Sequence, residues 1–493
     1  MNVLLIYPEF PDTFWSFKHA LKFVHKKSSS PPLGLLTVAA MLPGTWQKRL
    51  VDMNVTKLEE PDIQWADMVL ISAMTVQRQS VLDVIKHVKT FDKLILAGGP
   101  LFTMEPESFP DVDHLILNEA EITLPTFLVD LGRGQTKRIY TTKDYADISK
   151  TPVPMWELID LSKYNSMSLQ YSRGCPFNCD FCNVTSLLGH KMRLKTTRQL
   201  IAELDSLYNL GWRRPIFIVD DNFIGNRKIL KEDLLPALIE WRKGKKGCLF
   251  TTEASVNLSD DDMLIDLMVK AGFTQVFVGI ETPDEISLTE CHKSQNRNRD
   301  LVSNVHKLQR MGLQVMGGFI VGFDNDNEQI FERQIEFIQK SGIVTAMVGL
   351  LQAPIGTGLY QRMLREGRLK RESCSGDNVD GETNIITTMN SDVLKEGYRH
   401  ILDTIYSAKA YTERVIHFLQ EFRPYRHSVT LQWQEILALF RSIFEIGMRS
   451  KERRYYWKLF FWSLFKEPRK FPLAITFLIY GYHFRKVNEM HVS

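Results

Sequence analysis

The sequence predicts an α/β protein in three parts: a doubly wound sheet over 1–147, a second α/β module over 166–372 reached through a connector at 148–165, and an α-helical domain over 373–493. Three observations carry this reading. Short continuous apolar runs, the mark of parallel strands buried on both faces, alternate with amphipathic stretches twice along the chain. Three clustered cysteines, Cys175, Cys179 and Cys182, stand near the start of the second series. After Gly381 the apolar spacing is helical only. A length of 493 residues exceeds one ordinary domain. Hydrophobic residues at 44% and charged residues at 24% belong to a globular chain rather than a disordered one.

In the first part, Val3-Leu4-Leu5-Ile6-Tyr7 is the opening strand, and 33–42 can form the first helix after Ser28-Ser29-Ser30-Pro31-Pro32. Further strands are expected at 49–53, 68–72, 93–97 and 114–117. Such a sheet binds ligands beyond the carboxyl ends of its strands. No Gly-x-Gly-x-x-Gly follows the first strand, so a dinucleotide is poorly supported. Instead Ser72, Ala73 and Thr75 follow one strand, and Gly98 and Gly99 another. Residues this small let a backbone approach a large flat cofactor or its tail. Asn118-Glu119-Ala120-Glu121 opens the last helix. The opening residues read as a strand without a basic n-region, so no secretory signal is expected.

The segment Arg173-Gly174-Cys175-Pro176-Phe177-Asn178-Cys179-Asp180-Phe181-Cys182 follows a short strand at 168–171 and the extended connector Thr151-Pro152-Val153-Pro154. Thiolates are soft ligands suited to an iron–sulfur cluster. A [4Fe–4S] cluster has four irons, so three cysteines leave one iron open to another ligand. A zinc knuckle or a disulfide is the alternative. Zinc would want a fourth Cys or His in a comparable pair, and His190 stands alone. Six cysteines, half of them clustered, make no disulfide framework, and a reducing cytoplasmic setting is expected. Cys248, Cys291 and Cys374 are isolated and read as small buried hydrophobes.

Strands then follow at 216–223, ending on Asp220-Asp221-Asn222, at 249–254 near Glu253, at 275–281 ending on Glu281, and at 315–324 and 346–352. Acids recurring at carboxyl strand ends sit where the mouth of a parallel barrel holds its ligands. Each acid alone reads equally well as a helix cap.

The cysteine spacing, with aromatic Phe181 before the third cysteine, resembles the radical S-adenosylmethionine (SAM) superfamily. That resemblance implies a partial (β/α)6 barrel matching to about residue 369 and a [4Fe–4S] cluster on Cys175, Cys179 and Cys182. It implies SAM at Phe181, Asp220, Glu253 and Glu281, cleaved to methionine and a 5′-deoxyadenosyl radical. The electron would come from a low-potential donor such as ferredoxin or flavodoxin. The superfamily's Gly-Gly-Glu after the second strand is absent; Asp220-Asp221-Asn222 stands there. Taken with this module, the first part resembles the Rossmann-like cobalamin-binding domain of cobalamin-dependent radical enzymes, which implies cobalamin at Ser72, Thr75, Gly98, Gly99 and Glu119. The Asp-x-His-x-x-Gly that supplies a histidine to cobalt is missing: the loop reads Pro8-Glu9-Phe10-Pro11-Asp12-Thr13-Phe14-Trp15, and His19 and His25 lack the flanking pattern. A degenerate domain without cobalamin is the alternative.

Helical spacing marks 392–410 and 411–422, before Pro424. From Arg449 the chain turns basic and aromatic, and the apolar stretch 471–484 is shorter than the roughly 20 residues a membrane span needs. Two readings stay open: peripheral membrane contact through 449–484, or a helical cap whose aromatics pack on the barrel. The net charge of +3 decides nothing about partners, and no helix-turn-helix or zinc-finger pattern suggests nucleic acid. The order of parts resembles the hopanoid C-2 methyltransferases and the archaeal tetraether-lipid ring synthases. It implies a cobalamin-dependent radical SAM methyltransferase acting on an unactivated carbon, in a lipid. Carbon–carbon bond formation or ring rearrangement without methyl transfer is the second reading. A cobalamin sensor or scaffold is a third, against which the intact cysteine loop counts.

Overall fold

The computed structural model describes residues 1–377, 379–425 and 433–492, with residues 491 and 492 described by main chain only. Residues 378, 426–432 and 493 of the 373–493 region lie outside the described residues.

Six parallel strands build the first sheet: β1 (Asn2–Tyr7), β2 (Gln47–Asp52), β3 (Met68–Ser72), β4 (Leu94–Gly98), β5 (His114–Ile116) and β6 (Ile139–Tyr140), in the order β2-β1-β3-β4-β5-β6. The continuous apolar runs have their explanation here. Val3 and Leu5 pack on one face with Leu35 and Ala39, while Leu4 and Ile6 pack on the other with Val81 and Val84. The order reverses beside β1, which places the ligand crevice at the carboxyl ends of β1 and β3. The two-residue β6 is too short to leave a periodic signal.

The second sheet runs β7 (Met167–Leu169), then, past the cysteine loop, β10 (Ile216–Ile218), β11 (Phe250–Glu253), β12 (Phe273–Glu281), β13 (Gln314–Val321) and β14 (Ala346–Leu350). All are parallel and neighbours in chain order, as in an open barrel. A small antiparallel hairpin, β8 (Ser172–Arg173) with β9 (Arg193–Leu194), brackets the cysteine loop. The expected strand 216–223 stops at Ile218, because Asp220 turns inward and accepts hydrogen bonds from Tyr171 N and Ser172 Oγ.

Helices Ser391–Tyr406, Ala408–Glu421, Trp433–Ser442, Arg453–Lys466 and Phe471–Val492 form the carboxyl-terminal region. The first break falls at Ser407, whose hydroxyl accepts from Ala410 N and caps the second helix. Phe471–Val492 corrects part of the membrane-contact expectation for 449–484. Its Ala474, Phe477, Leu478 and Phe484 belong to the large core, and Phe484 stacks on Phe14 with ring centroids 4.3 Å apart. Among the described residues no helix is long and apolar enough to cross a membrane.

Candidate active site

The carboxyl ends of the two sheets meet around one cavity of about 850 Å³. Ser72, Gly98 and Gly99 line it from the first sheet, Gln170, Val219 and Asp221 from the second. Trp15 enters from the loop after β1, and Leu187 from the helix Val184–Leu188 that follows the third cysteine.

Each residue expected at cobalamin has a definite place. Gly98 lies where an added Cβ would stand 2.6 Å from Ile116 O, so close strand packing requires glycine there. Gly99 has φ +95°, and its added Cβ would meet Ser72 Oγ at 2.7 Å. Thr75 does not line the cavity: it lies under Gly376, whose added Cβ would be 2.9 Å from Thr75 Cβ. Glu119 lines the cavity, but its carboxylate is engaged within the chain. Arg173 Nη1 and Arg193 Nη1 donate to it at 2.7 Å, as does Ala146 N at 2.8 Å. His19 faces Asp12 and His483 rather than the cavity.

The cysteine loop is braced by its main chain. Gly174 has φ +94°, with Lys191 O 2.8 Å from where a Cβ would stand. Cys175 N donates to Gly189 O and Asp180 N to Cys291 O, both at 3.2 Å. All three thiols are free and half-buried. Lys293 is 2.5 Å from Glu281 Oε1 and 5.9 Å from the Phe181 ring centre, and Gln295 Nε2 lies 3.6 Å from Cys179 Sγ. Burial pushes the three thiols up in pKa, Cys182 to about 12, and the Lys293 ammonium opposes this at each. A cation and an N–H donor directed at thiols suit thiolates that hold a cluster. Gln295 Oε1 and Asn296 Oδ1 are buried beside them without a partner among the described residues.

The acids expected at SAM divide. Asp220 is wholly buried and braces the strand before the cysteines; burial lifts its pKa to about 7 against the hydrogen bonds from Ser172 and Tyr171. Glu281, at φ +64°, is paired with Lys293. Phe181 packs near Phe323 with ring centroids 6.4 Å apart. Glu253 makes no hydrogen bond or ion pair among the described residues, and burial beside Asp221 and Asp220 lifts its pKa to about 8. Asp221 reaches the cavity wall. Arg173, Lys293 and Gln295 escaped the sequence reading; only the place of Arg173 just ahead of Gly174-Cys175 was a signal.

A Rossmann-like crevice facing a radical-type barrel defines the class of cobalamin-binding radical SAM enzymes, and the comparisons agree. The B12 binding domain matches residues 24–128, the radical SAM superfamily 169–338, and a domain of unknown function, DUF4070, 357–493. The cobalamin-dependent radical SAM enzyme OxsB superposes with a TM-score of 0.62 at 14% identity, covering 100% of this chain and 79% of that one. The radical SAM methyltransferase TsrM of Kitasatospora setae gives 0.60 at 12% identity, covering 99% of each chain. These two show the fold. An uncharacterized methyltransferase of Synechocystis sp. is 40% identical over 99% of this chain and 92% of its own. A hopanoid C-2 methylase of Rhodopseudomonas palustris is 35% identical over 93% and 88%. The chain belongs to the cobalamin-dependent radical SAM methyltransferase family and is an enzyme that uses a [4Fe–4S] cluster, SAM and cobalamin.

Proposed function

We propose that this methyltransferase acts on an unactivated carbon of a membrane lipid, working in the cytoplasm at the membrane surface. The observation that carries the reading is the shared cavity: the crevice of one sheet and the mouth of the other open into the same space. Its wall is rich in apolar side chains, including Leu35, Val38, Met41, Leu187 and Leu188, which suits a hydrocarbon substrate. The 35%-identical hopanoid C-2 methylase supports the lipid class.

In this reading Cys175, Cys179 and Cys182 hold the cluster, Glu253 and Asp221 receive the polar groups of SAM, and Ser72, Gly98 and Gly99 border the cobalamin. When bound, the cluster and SAM supply hydrogen abstraction, and cobalamin supplies the methyl group. The chain's own work is placement. Glu253, unpaired and held at a raised pKa by burial, is ready to ionise against a cationic ammonium. Gly98 and Gly99 keep the crevice floor low, and Trp15 and Leu187 add apolar side chains to its wall. Glu119 and Glu121 hold Arg173 at the root of the cysteine loop. The electron comes from a low-potential donor, such as a ferredoxin or flavodoxin.

Anaerobic turnover with a low-potential reductant and a lipid extract tests this. Near-equal release of 5′-deoxyadenosine and S-adenosylhomocysteine, dependent on the extract, is expected. Extract-independent release of both would remove the lipid substrate.

A further inference from the structure

The carboxyl-terminal helices leave two apolar stripes uncovered, and neither the core nor the cavity uses them. Trp433, Phe440 and Phe444 recur at seven and then four residues, which places them on one side of Trp433–Ser442 and its continuation. They are 69%, 62% and 46% exposed, and Met448 follows at 57%. In Arg453–Lys466 the residues Arg454, Lys458, Phe461 and Phe465 share the outward side, while Tyr456, Leu459 and Ser463 are buried opposite. Phe465 is 75% exposed. Trp457 joins the stripes: its Nε1–H donates to Gly447 O at 2.9 Å, and its ring stacks on Phe461 with centroids 5.4 Å apart.

Charge decides what covers this face. Residues 449–470 hold eight Lys or Arg against two Glu, a net charge of +6. Arg453, Arg454, Lys458, Lys466 and Arg469 are exposed and make no ion pair among the described residues. The core of a protein–protein interface accepts arginine and aromatic rings but is depleted in lysine, so Lys458 and Lys466 among the rings are what argue against a protein partner. Cations interleaved with aromatic rings on one helix side suit a bilayer instead, with ammonium and guanidinium groups at phosphate level and rings just below.

We propose that this face, built on Trp433–Ser442, its continuation to Met448, and Arg453–Lys466, docks the enzyme on a bilayer surface with anionic headgroups. The inward-facing Phe471–Val492 takes no part, and the stretch before Arg449 does. The inference extends the lipid-substrate reading, and vesicles free of substrate keep the two separable.

The test floats full-length reconstituted enzyme with vesicles of phosphatidylglycerol and phosphatidylcholine in equal parts, and with phosphatidylcholine alone. The enzyme should float with the first, partition about tenfold less to the second, and be released by high salt. R454E/K458E should lose at least about twenty-fivefold in partition, given roughly a factor of five per basic group near an anionic surface, and F461S/F465S about tenfold. All four side chains point outward, so both variants should melt with the wild type and keep its 5′-deoxyadenosine release. Wild-type enzyme that stays in the aqueous fraction, or folded variants that float like it, would overturn the proposal. A dimer dissolved by F461S/F465S, without flotation of the wild type, would give the face to a second copy. Flotation without extract-dependent turnover would remove the lipid substrate and leave the docking face standing.

Discussion

Arg173 Nη1 lies 2.7 Å from Glu119 Oε1, which ties the root of the cysteine loop to the carboxyl edge of the opposite sheet. Glu121 takes the other arm of the same guanidinium at 2.7 Å, and Arg193 on the neighbouring strand pairs with Glu119 as well. Four charges, Glu119 buried and the other three largely so, therefore hold the two crevices in one relation to each other.

Glu119→Gln leaves Arg193 without its carboxylate partner in a buried setting. Removing one partner of a buried ion pair is far more costly than the pair is stabilising, so a loss of about 3 kcal/mol is expected. Thermal or denaturant unfolding of the cofactor-free protein measures it. An unchanged midpoint would mean that Glu119 does not bear on the join.

Cys175→Ala should abolish SAM cleavage, read as 5′-deoxyadenosine, and deplete bound iron and sulfide. Its melting curve should stay close to that of the cofactor-free wild type, because the half-buried thiol makes no disulfide. Retained cleavage would sink the cluster assignment.

Lys293→Met removes a buried cation facing Cys179 and Cys182 and leaves Glu281 unpaired. Both changes disfavour adding an electron nearby, so the cluster potential should fall by on the order of 60 mV, a tenfold shift in a one-electron equilibrium. Potentiometric titration followed by electron paramagnetic resonance reads this directly, and a potential that rises would contradict it.

Ser72→Leu puts a large side chain into the cavity at the end of β3, beside Gly99. Cobalamin retained through gel filtration, measured by absorbance, should drop at least tenfold while iron content holds. Equal retention would move cobalamin away from this strand end.

His483 is wholly buried against Phe14 O at 3.0 Å. Burial lowers its pKa to about 4, with the Phe14 carbonyl and Asp12 working upward and His19 downward. In the unfolded chain it takes its proton near pH 6.5, so between about 6.5 and 4 the unfolded state binds more protons and stability falls as pH falls. The loss should approach about 3 kcal/mol by pH 4 and level off below it. His483→Phe should flatten this part of the stability curve; an unchanged slope would place the acid sensitivity elsewhere.

Most strands could be read from the sequence because parallel strands buried on both sides are apolar without interruption, as 3–7 and 68–72 are. The acids could not be sorted in the same way. Glu119, Asp220, Glu253 and Glu281 all stand at strand ends, yet three of them are held by partners elsewhere in the chain: Arg173, Tyr171 and Lys293. Only Glu253 is left without a partner among the described residues. Gln295 reaches Cys179 from 116 residues downstream, a separation over which no local pattern runs.

The sequence by itself determined the chemistry and the layers. Covalent spacing places three thiols on one loop, and side-chain periodicity states which segments are strands or helices and which sides are apolar. Only the tertiary structure decided which strand-end acid stays unpaired, that both crevices open into one cavity, and which aromatic helix faces outward. Periodicity reports that a face is apolar, not whether another element covers it. Phe471–Val492 is covered and Arg453–Lys466 is not, because burial depends on contacts between residues far apart in the chain.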